Sequence, residues 1–143
     1  MSIKLIAIDI DGTLVDKEFK ITPEVKAAIT EAREQGVKIV LCTGRPFPGV
    51  KRYIKELDLD QDEDYVITYN GSLVLSTATN EVLVSHTLDY SDFVRINELA
   101  DKFNVHTHGI DNEAIYTANK DISIFTTRES FITTMPIRYR SLA

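Results

Sequence analysis

A single cysteine, Cys42, is all the thiol in this 143-residue sequence. That excludes an internal disulfide and fits a reducing compartment. No apolar run approaches the ~18 residues that a membrane-spanning helix requires. The opening stretch MSIKLIAIDI has one lysine, no small-residue cleavage site and an acid already at position 9, so it lacks a secretory pattern. A cytoplasmic protein with no membrane partner is the expectation. Basic charge is also scarce: 16 Lys and Arg stand against 22 Asp and Glu, a formal net charge of −6. This argues against nucleic acid as a partner, because neutralising phosphates needs a basic surface. It leaves open a small phosphorylated ligand, which a few local groups can hold. Internal repeats and low-complexity tracts are missing too. What remains is ordinary globular composition, 43% hydrophobic and 27% charged. The length suits one domain with a real core better than two comfortable ones.

The stretch KLIAI (4–8) is a near-continuous apolar run, the pattern of a parallel strand covered on both faces. ITPEVKAAITEAREQG follows as a helix, with Thr22 as N-cap, Pro23 at the first helical position and Gly36 closing the end. Its apolar face is Val25, Ala28, Ile29 and Ala32. A second apolar strand, 37–41, ends in CTGRP. A helix around 49–57 then carries Val50, Tyr53, Ile54 and Leu57 as its buried stripe. The run DQDED (60–64) reads as a solvated loop before a third strand, YVITYNG. Strand, helix, strand, helix, strand is the start of a doubly wound α/β sheet with right-handed crossovers. Its ligand site should lie beyond the carboxyl ends of the strands. All three strands end in polar punctuation, at Asp9-Ile10-Asp11, Thr43-Gly44-Arg45 and Asn70-Gly71, and these ends should converge on one crevice. After Gly71 the style turns to α+β. SLVLSTATNEVLVSH reads as a hairpin about Thr79-Asn80. A helix over 91–103 should bury Phe93, Ile96, Leu99, Ala100 and Phe103. VHTHGI, AIYTA and ISIFTT read as short strands, and 129–134 as a helix. The division is expected near residues 83–88, with 1–83 as the core and 84–143 as a partial second domain.

Burying carboxylates in a strand end is costly unless something compensates them. A divalent cation and loop amides keep a strand-end carboxylate ionised, and it then serves as nucleophile, metal ligand or both. Two acids at i and i+2 divide the labour, one attacking and the other handling a proton. Gly12 permits the tight turn. Thr43 and Gly44 add a hydroxyl and unhindered N–H groups. Together these are parts for phosphoryl transfer. Each also has a plainer reading. Asp-Gly-Thr is common turn chemistry, a threonine that ends a strand often caps the next helix, and Asn70-Gly71 reads equally as a turn. Arg45 suits a substrate phosphate or a helix-entry salt bridge. Cys42 reads as a small core hydrophobe, and His86 as a surface residue. His106 and His108 share one side of a strand but have no further metal ligand beside them.

The combination DIDGTL, LCTGRP and YNG resembles the haloacid dehalogenase superfamily, specifically its Cof-type bacterial sugar-phosphate phosphatases. The likeness is clear over 3–75 and looser over 76–135. It implies a HAD-like Rossmannoid parallel core, incomplete here, followed by the start of an α+β cap that selects the substrate. It implies Asp9 as the nucleophile that forms an aspartyl-phosphate, and Asp11 as general acid/base. Both acids would hold Mg²⁺, Asp11 through its backbone carbonyl. It implies Thr43, Gly44 and Arg45 around the transferring phosphoryl group, with Asn70 and Gly71 near the substrate.

Against that family the later signatures are missing. No Gly-Asp pair occurs, Lys102 and Lys120 are poor stand-ins for the phosphate-binding lysine, and MPIRYRSLA stops where a cap should continue. The expectations are a truncated gene or a fragment, weak metal affinity and weak or absent activity. The alternative is a non-catalytic binding or assembly module. A receiver-type phosphoacceptor ranks last, for want of an acid pair and a late lysine. A homodimer through the free edge of the first strand, or a rearrangement that covers it, is also expected.

Overall fold

In the computed structural model, which describes residues 3–141, three strands run parallel: β1 (Leu5–Asp9), β2 (Lys38–Cys42) and β3 (Tyr65–Thr68). Asp9 sits opposite Cys42, and Leu41 opposite Val66. The hairpin β4 (Leu73–Ser76) and β5 (Val82–Ser85) extends the same sheet antiparallel, in the order β1-β2-β3-β4-β5. Met1-Ser2 and the last two residues of the closing tail, Leu142-Ala143, lie outside the described residues. Two units form: Met1–Arg45 with Val50–His86, and Pro46–Gly49 with Thr87–Ala143.

The first crossover helix is α1 (Pro23–Glu34). Thr22 Oγ1 accepts the Val25 N–H at 3.4 Å, satisfying one orphan donor of the first turn. At the other end Gly36 takes φ 80°. The N–H groups of Gly36 and Val37 return to the carbonyls of Arg33 and Ala32, a Schellman closure. The second crossover helix, α2 (Lys51–Glu56), buries Val50, Tyr53, Ile54 and Leu57, the stripe its spacing predicts. Right-handed crossovers in consecutive strand order place α1 and α2 on one face of the sheet. Arg33 Nη1 ties them by donating to the Leu57 carbonyl at 3.0 Å.

That arrangement corrects the expectation that β1 is covered on both faces. Ile6 and Ile8 turn towards α1, and Leu5, Ala7 and Asp9 turn away from it. Leu5 is 54% exposed. An apolar run reports what a strand would bury, not whether a layer lies over both of its faces. A second correction concerns Asp64. The acidic loop is exposed through Glu63, but Asp64 is buried. Its Oδ2 accepts from the Gln61 N–H at 3.1 Å and from Arg33 Nη2 at 3.4 Å. It fastens the entry to β3 onto α1.

The second unit contains α3 (Tyr90–Phe103), α4 (Ile124–Thr133) and a sheet of β6 (Gly109–Ile110), β7 (Ile115–Thr117) and β8 (Ile137–Tyr139). The order is β6-β7-β8, antiparallel and then parallel. α3 buries Asn97 and Ala100, whereas Ile96, Leu99 and Phe103 face outward. The expected apolar side is therefore half wrong. Asn97 goes inward because its amide is satisfied there, donating to the Phe93 carbonyl and accepting from Thr107 Oγ1. ISIFTT is not a strand but the start of α4. Ser123 caps it by accepting the Phe125 N–H at 3.2 Å, and a good cap outweighs the β-propensity of Ile, Phe and Thr. Of VHTHGI only Gly109–Ile110 is strand, and β8 falls within the closing tail. Among the described residues no helix is long and apolar enough to cross a membrane.

Candidate active site at the parallel strand ends

β1 stops because its carbonyls are recruited by the following turn. The Asp9 carbonyl accepts the Leu14 N–H at 3.0 Å, and the Ile10 carbonyl accepts from Leu14 and Val15 at 3.1 and 3.2 Å. Ile10, Leu14 and Val15 are buried beneath this turn, so Asp9 and Asp11 stand above an apolar floor. Gly12 adopts φ 84°, a conformation that costs other residues about 1 kcal/mol or more. Thr13 Oγ1 donates to Asp9 Oδ2 at 3.4 Å.

The end of β2 is joined to both neighbours. Thr43 is buried, and its Oγ1 accepts the Arg45 N–H at 3.1 Å. This closes a local turn and does not cap the next helix, whose N-cap is Val50, and as an acceptor the hydroxyl keeps its own proton to donate. Asn70 and Tyr69 donate their backbone N–H groups to the Thr43 and Arg45 carbonyls at 3.1 and 3.2 Å. Tyr69, Asn70 and Gly71 take φ of 51°, 55° and 96° in succession. Such a run is strained, and it folds the Asn70 side chain over Gly44. A Cβ on Gly44 would stand 2.8 Å from Asn70 Oδ1. Glycine at 44 is thus a requirement of contact, not of backbone angle.

Arg45 is the most constrained of these side chains, only 4% exposed. Its Nε and Nη2 donate to the two oxygens of Asp11 at 2.8 and 2.5 Å. Its guanidinium carbon lies 5.5 Å from the ring centroids of both Phe19 and Tyr53. Burial alone would pull the guanidinium's pKa down. The hydrogen bonds and charge of Asp11, with help from Tyr53, more than offset that, and Arg45 ends above its ordinary value. The arginine therefore takes the ion-pair option of its two readings, but with Asp11 as partner. Tyr53 is itself held: its hydroxyl donates to the Phe19 carbonyl at 3.3 Å and is hydrogen-bonded by Arg52.

Cys42 is half-buried at the strand end, not wholly inside the core. Burial and the charge of Asp9 both push its thiol pKa up, which disfavours the reactive thiolate. His108 Nδ1 lies 3.0 Å from Thr126 Oγ1. Among the described residues no group of three or more His, Cys, Asp or Glu is placed to hold a metal. The donors at the β1 end are all hard oxygens: the Asp9 carboxylate and the carbonyls of its loop. Such a set fits a Mg²⁺ that keeps most of its water, and does not fit zinc.

Direct links thus join Asp11 to Arg45, Thr43 to Asn70 and Gly44 to Asn70, so the three strand ends do meet. Thr13 and Phe19 belong to this cluster without having been singled out in the sequence, and Tyr53, expected only as part of the α2 stripe, joins it through its ring and hydroxyl. Thr13 was visible within DGT. The others pack through long-range contacts that no local pattern carries. Thr68 is fully buried, and its Oγ1 has no hydrogen-bond partner among the described residues.

The haloacid dehalogenase-like hydrolase family profile matches residues 6–140. The chain is 48% identical over 139 residues to "Putative phosphatase YxeH" of Bacillus subtilis (strain 168), covering 97% of this chain and 52% of that one. It is 36% identical over 107 residues to the 5-amino-6-(5-phospho-D-ribitylamino)uracil phosphatase YcsE of the same strain, 74% of this chain and 41% of that one. A crystal structure of a haloacid dehalogenase-like hydrolase from Bacteroides thetaiotaomicron superposes with TM-score 0.84 at 26% identity, over 97% of this chain and 52% of that one. The chain spans about half the length of the curated relatives it matches.

Proposed function

The chain belongs to the haloacid dehalogenase-like hydrolase family, and from that premise we propose a cytoplasmic, Mg²⁺-dependent phosphatase of small phosphorylated metabolites such as sugar phosphates. The observation that carries this reading is the meeting of the Asp9–Asp11 turn with the Thr43–Arg45 and Asn70–Gly71 ends of two parallel neighbours. Asp9 attacks phosphorus, forming an Oδ–P bond as the ester P–O bond breaks, and Asp11 passes a proton to the leaving oxygen. Water then attacks phosphorus, its proton returns to Asp11, and the Asp9–P bond breaks, releasing phosphate. The Thr43 hydroxyl, the Gly44 N–H and Asn70 steady the phosphoryl oxygens. Mg²⁺ held by the Asp9 carboxylate and the Asp11 backbone carbonyl would offset the repulsion between Asp9 and an anionic phosphate. The activity for which YcsE is named, on a phosphorylated ribityl compound, supports a phosphomonoester of a polyhydroxylated metabolite.

The test is hydrolysis of 4-nitrophenyl phosphate with Mg²⁺ by this chain and by Asp9→Asn. Turnover by this chain is expected to be slow, since neither a Gly-Asp pair nor the phosphate lysine of the family is present. Asp9→Asn should lower it by at least about a hundredfold. Equal rates would remove Asp9 as nucleophile and favour the competing reading, an assembly module that uses the bare β1 edge.

A further inference from the structure

We propose that Asn70 is a gated modification site: the left-handed turn that holds it keeps its side-chain amide intact, and opening of that turn exposes it to spontaneous deamidation, which plants a carboxylate in the crevice. The modification stands on the chain alone, and its effect on turnover rests on the phosphatase reading above.

The sequence sets the chemistry. Asn70-Gly71 is the only Asn-Gly pair in the chain, and both residues are exposed to water. The Gly71 backbone nitrogen attacks Asn70 Cγ. A Cγ–N bond forms as the Cγ–Nδ2 bond breaks, and ammonia leaves carrying the former amide proton of Gly71. Water then opens the succinimide ring at either carbonyl and leaves aspartate or isoaspartate at position 70. One water is consumed and one ammonia released, with no oxidant, metal or enzyme. Glycine suits the attacking position because no Cβ crowds its nitrogen.

The fold withholds that attack. Ring closure requires the Gly71 nitrogen to eclipse Asn70 Cβ about the Cα–C bond. The ψ of 34° at Asn70 sets it on nearly the opposite side. Backbone hydrogen bonds keep it there: Asn70 and Tyr69 donate to the Thr43 and Arg45 carbonyls, and Ser72 donates to the Tyr69 carbonyl at 3.1 Å. Strain works against these bonds, because Tyr69 and Asn70 hold left-handed angles that residues with a Cβ rarely adopt. The turn therefore belongs to the low-stability end of the fold and opens before the sheet does.

The product exchanges an amide that both donates and accepts for a carboxylate that only accepts. Held over Gly44, that group meets an incoming phosphate with like charge and offers it no N–H. Isoaspartate also lengthens the main chain across the turn.

The experiment ages the unaltered chain in mildly alkaline buffer across a urea series. Peptide mapping by mass spectrometry reads the amide-to-acid mass gain at position 70. Hydrogen exchange of the Asn70 backbone amide, which the Thr43 carbonyl holds, reads the opening of the turn in the same samples. Position 70 should convert before any other asparagine, and at least about tenfold more slowly in the folded chain than in the unfolded one. Its rate should rise with urea in step with Asn70 exchange, below the range in which the sheet unfolds. Another asparagine converting first, or no conversion at 70 in the unfolded chain, overturns the site. Equal rates folded and unfolded, or a rate that follows global unfolding alone, overturns the gate. Asn70→Asp, which supplies one of the two products directly, should lower 4-nitrophenyl phosphate hydrolysis by at least about tenfold. Unchanged hydrolysis overturns the silencing. Absence of hydrolysis by the unaltered chain overturns the phosphatase reading and the silencing with it, while the modification site stands.

Discussion

Two residues near the strand ends make opposite demands on substitution. The hydroxyl of Thr68 is fully buried with no partner among the described residues. A buried, unpaired hydroxyl costs about 1–3 kcal/mol relative to one that is satisfied. Thr68→Val keeps the shape and removes that penalty, so it should stabilise the chain by about 1 kcal/mol in urea unfolding. A loss of stability instead would mean that the hydroxyl has a partner such as an ordered water. Gly44 is constrained from the other direction. Its φ lies outside the left-handed range, so alanine meets no backbone strain, and the clash is with the movable end of Asn70. Gly44→Ala should therefore change stability by less than about 1 kcal/mol while turning Asn70 away. The side-chain amide resonance of Asn70 would shift, and hydrolysis of 4-nitrophenyl phosphate would fall. A large drop in stability with Asn70 unmoved would show that Gly44 is needed for packing alone.

Among the elements, those punctuated locally could be read from the sequence. α1 announces itself through Thr22, Pro23 and Gly36, and α2 through four apolar residues that all prove buried. α4 could not be read in this way, because Ile124, Phe125, Thr126 and Thr127 favour strands by composition. What decides it is the Ser123 cap at one end and Thr134 in the left-handed region at the other. The site divides along the same line. Asp9, Asp11, Thr43, Gly44, Arg45, Asn70 and Gly71 could be picked out because each ends a strand. Their pairings could not, because Arg45 finds Asp11 across 34 residues and lies between two rings from different elements. Caps also carry a pH signature. At the start of α3, the Ser91 hydroxyl and the Asp92 N–H donate to Asp89 and lower its pKa from the ordinary carboxylate value. A carboxylate lowered by folding stabilises above its unfolded pKa, and that contribution is lost as pH falls through the folded value. Asp89→Ala should lower the urea midpoint near neutral pH, and the gap from the unaltered chain should narrow as pH falls below the ordinary carboxylate range. A gap that persists in acid would mean that the cap acts through shape and not through charge.

At the scale of the whole molecule, the feature that most needs an explanation is the uncovered edge of the five-stranded sheet. β1 ends the strand order, and Ile3, Leu5 and Ile6 are 70%, 54% and 36% exposed along it. An edge strand with apolar side chains presents unpaired backbone groups and hydrophobic surface together, which is a template for another strand. Lys4 is the only charge there to discourage pairing before Asp9. We propose that a second copy of this chain closes the edge, β1 against β1. Two predictions follow from the physics of that contact. Each copy carries a formal charge of −6, so association is opposed by like charge and should strengthen as added salt screens it. Leu5→Lys places a second cation on the exposed strand and removes apolar surface whose burial is worth about 1.5–3 kcal/mol per side chain, so it should weaken the dimer by tenfold or more. Sedimentation velocity across a concentration series, at low and at high salt, measures both. A single monomeric species at every concentration, or a dimer indifferent to Leu5→Lys, would move the interface elsewhere and leave the edge closed by something other than itself.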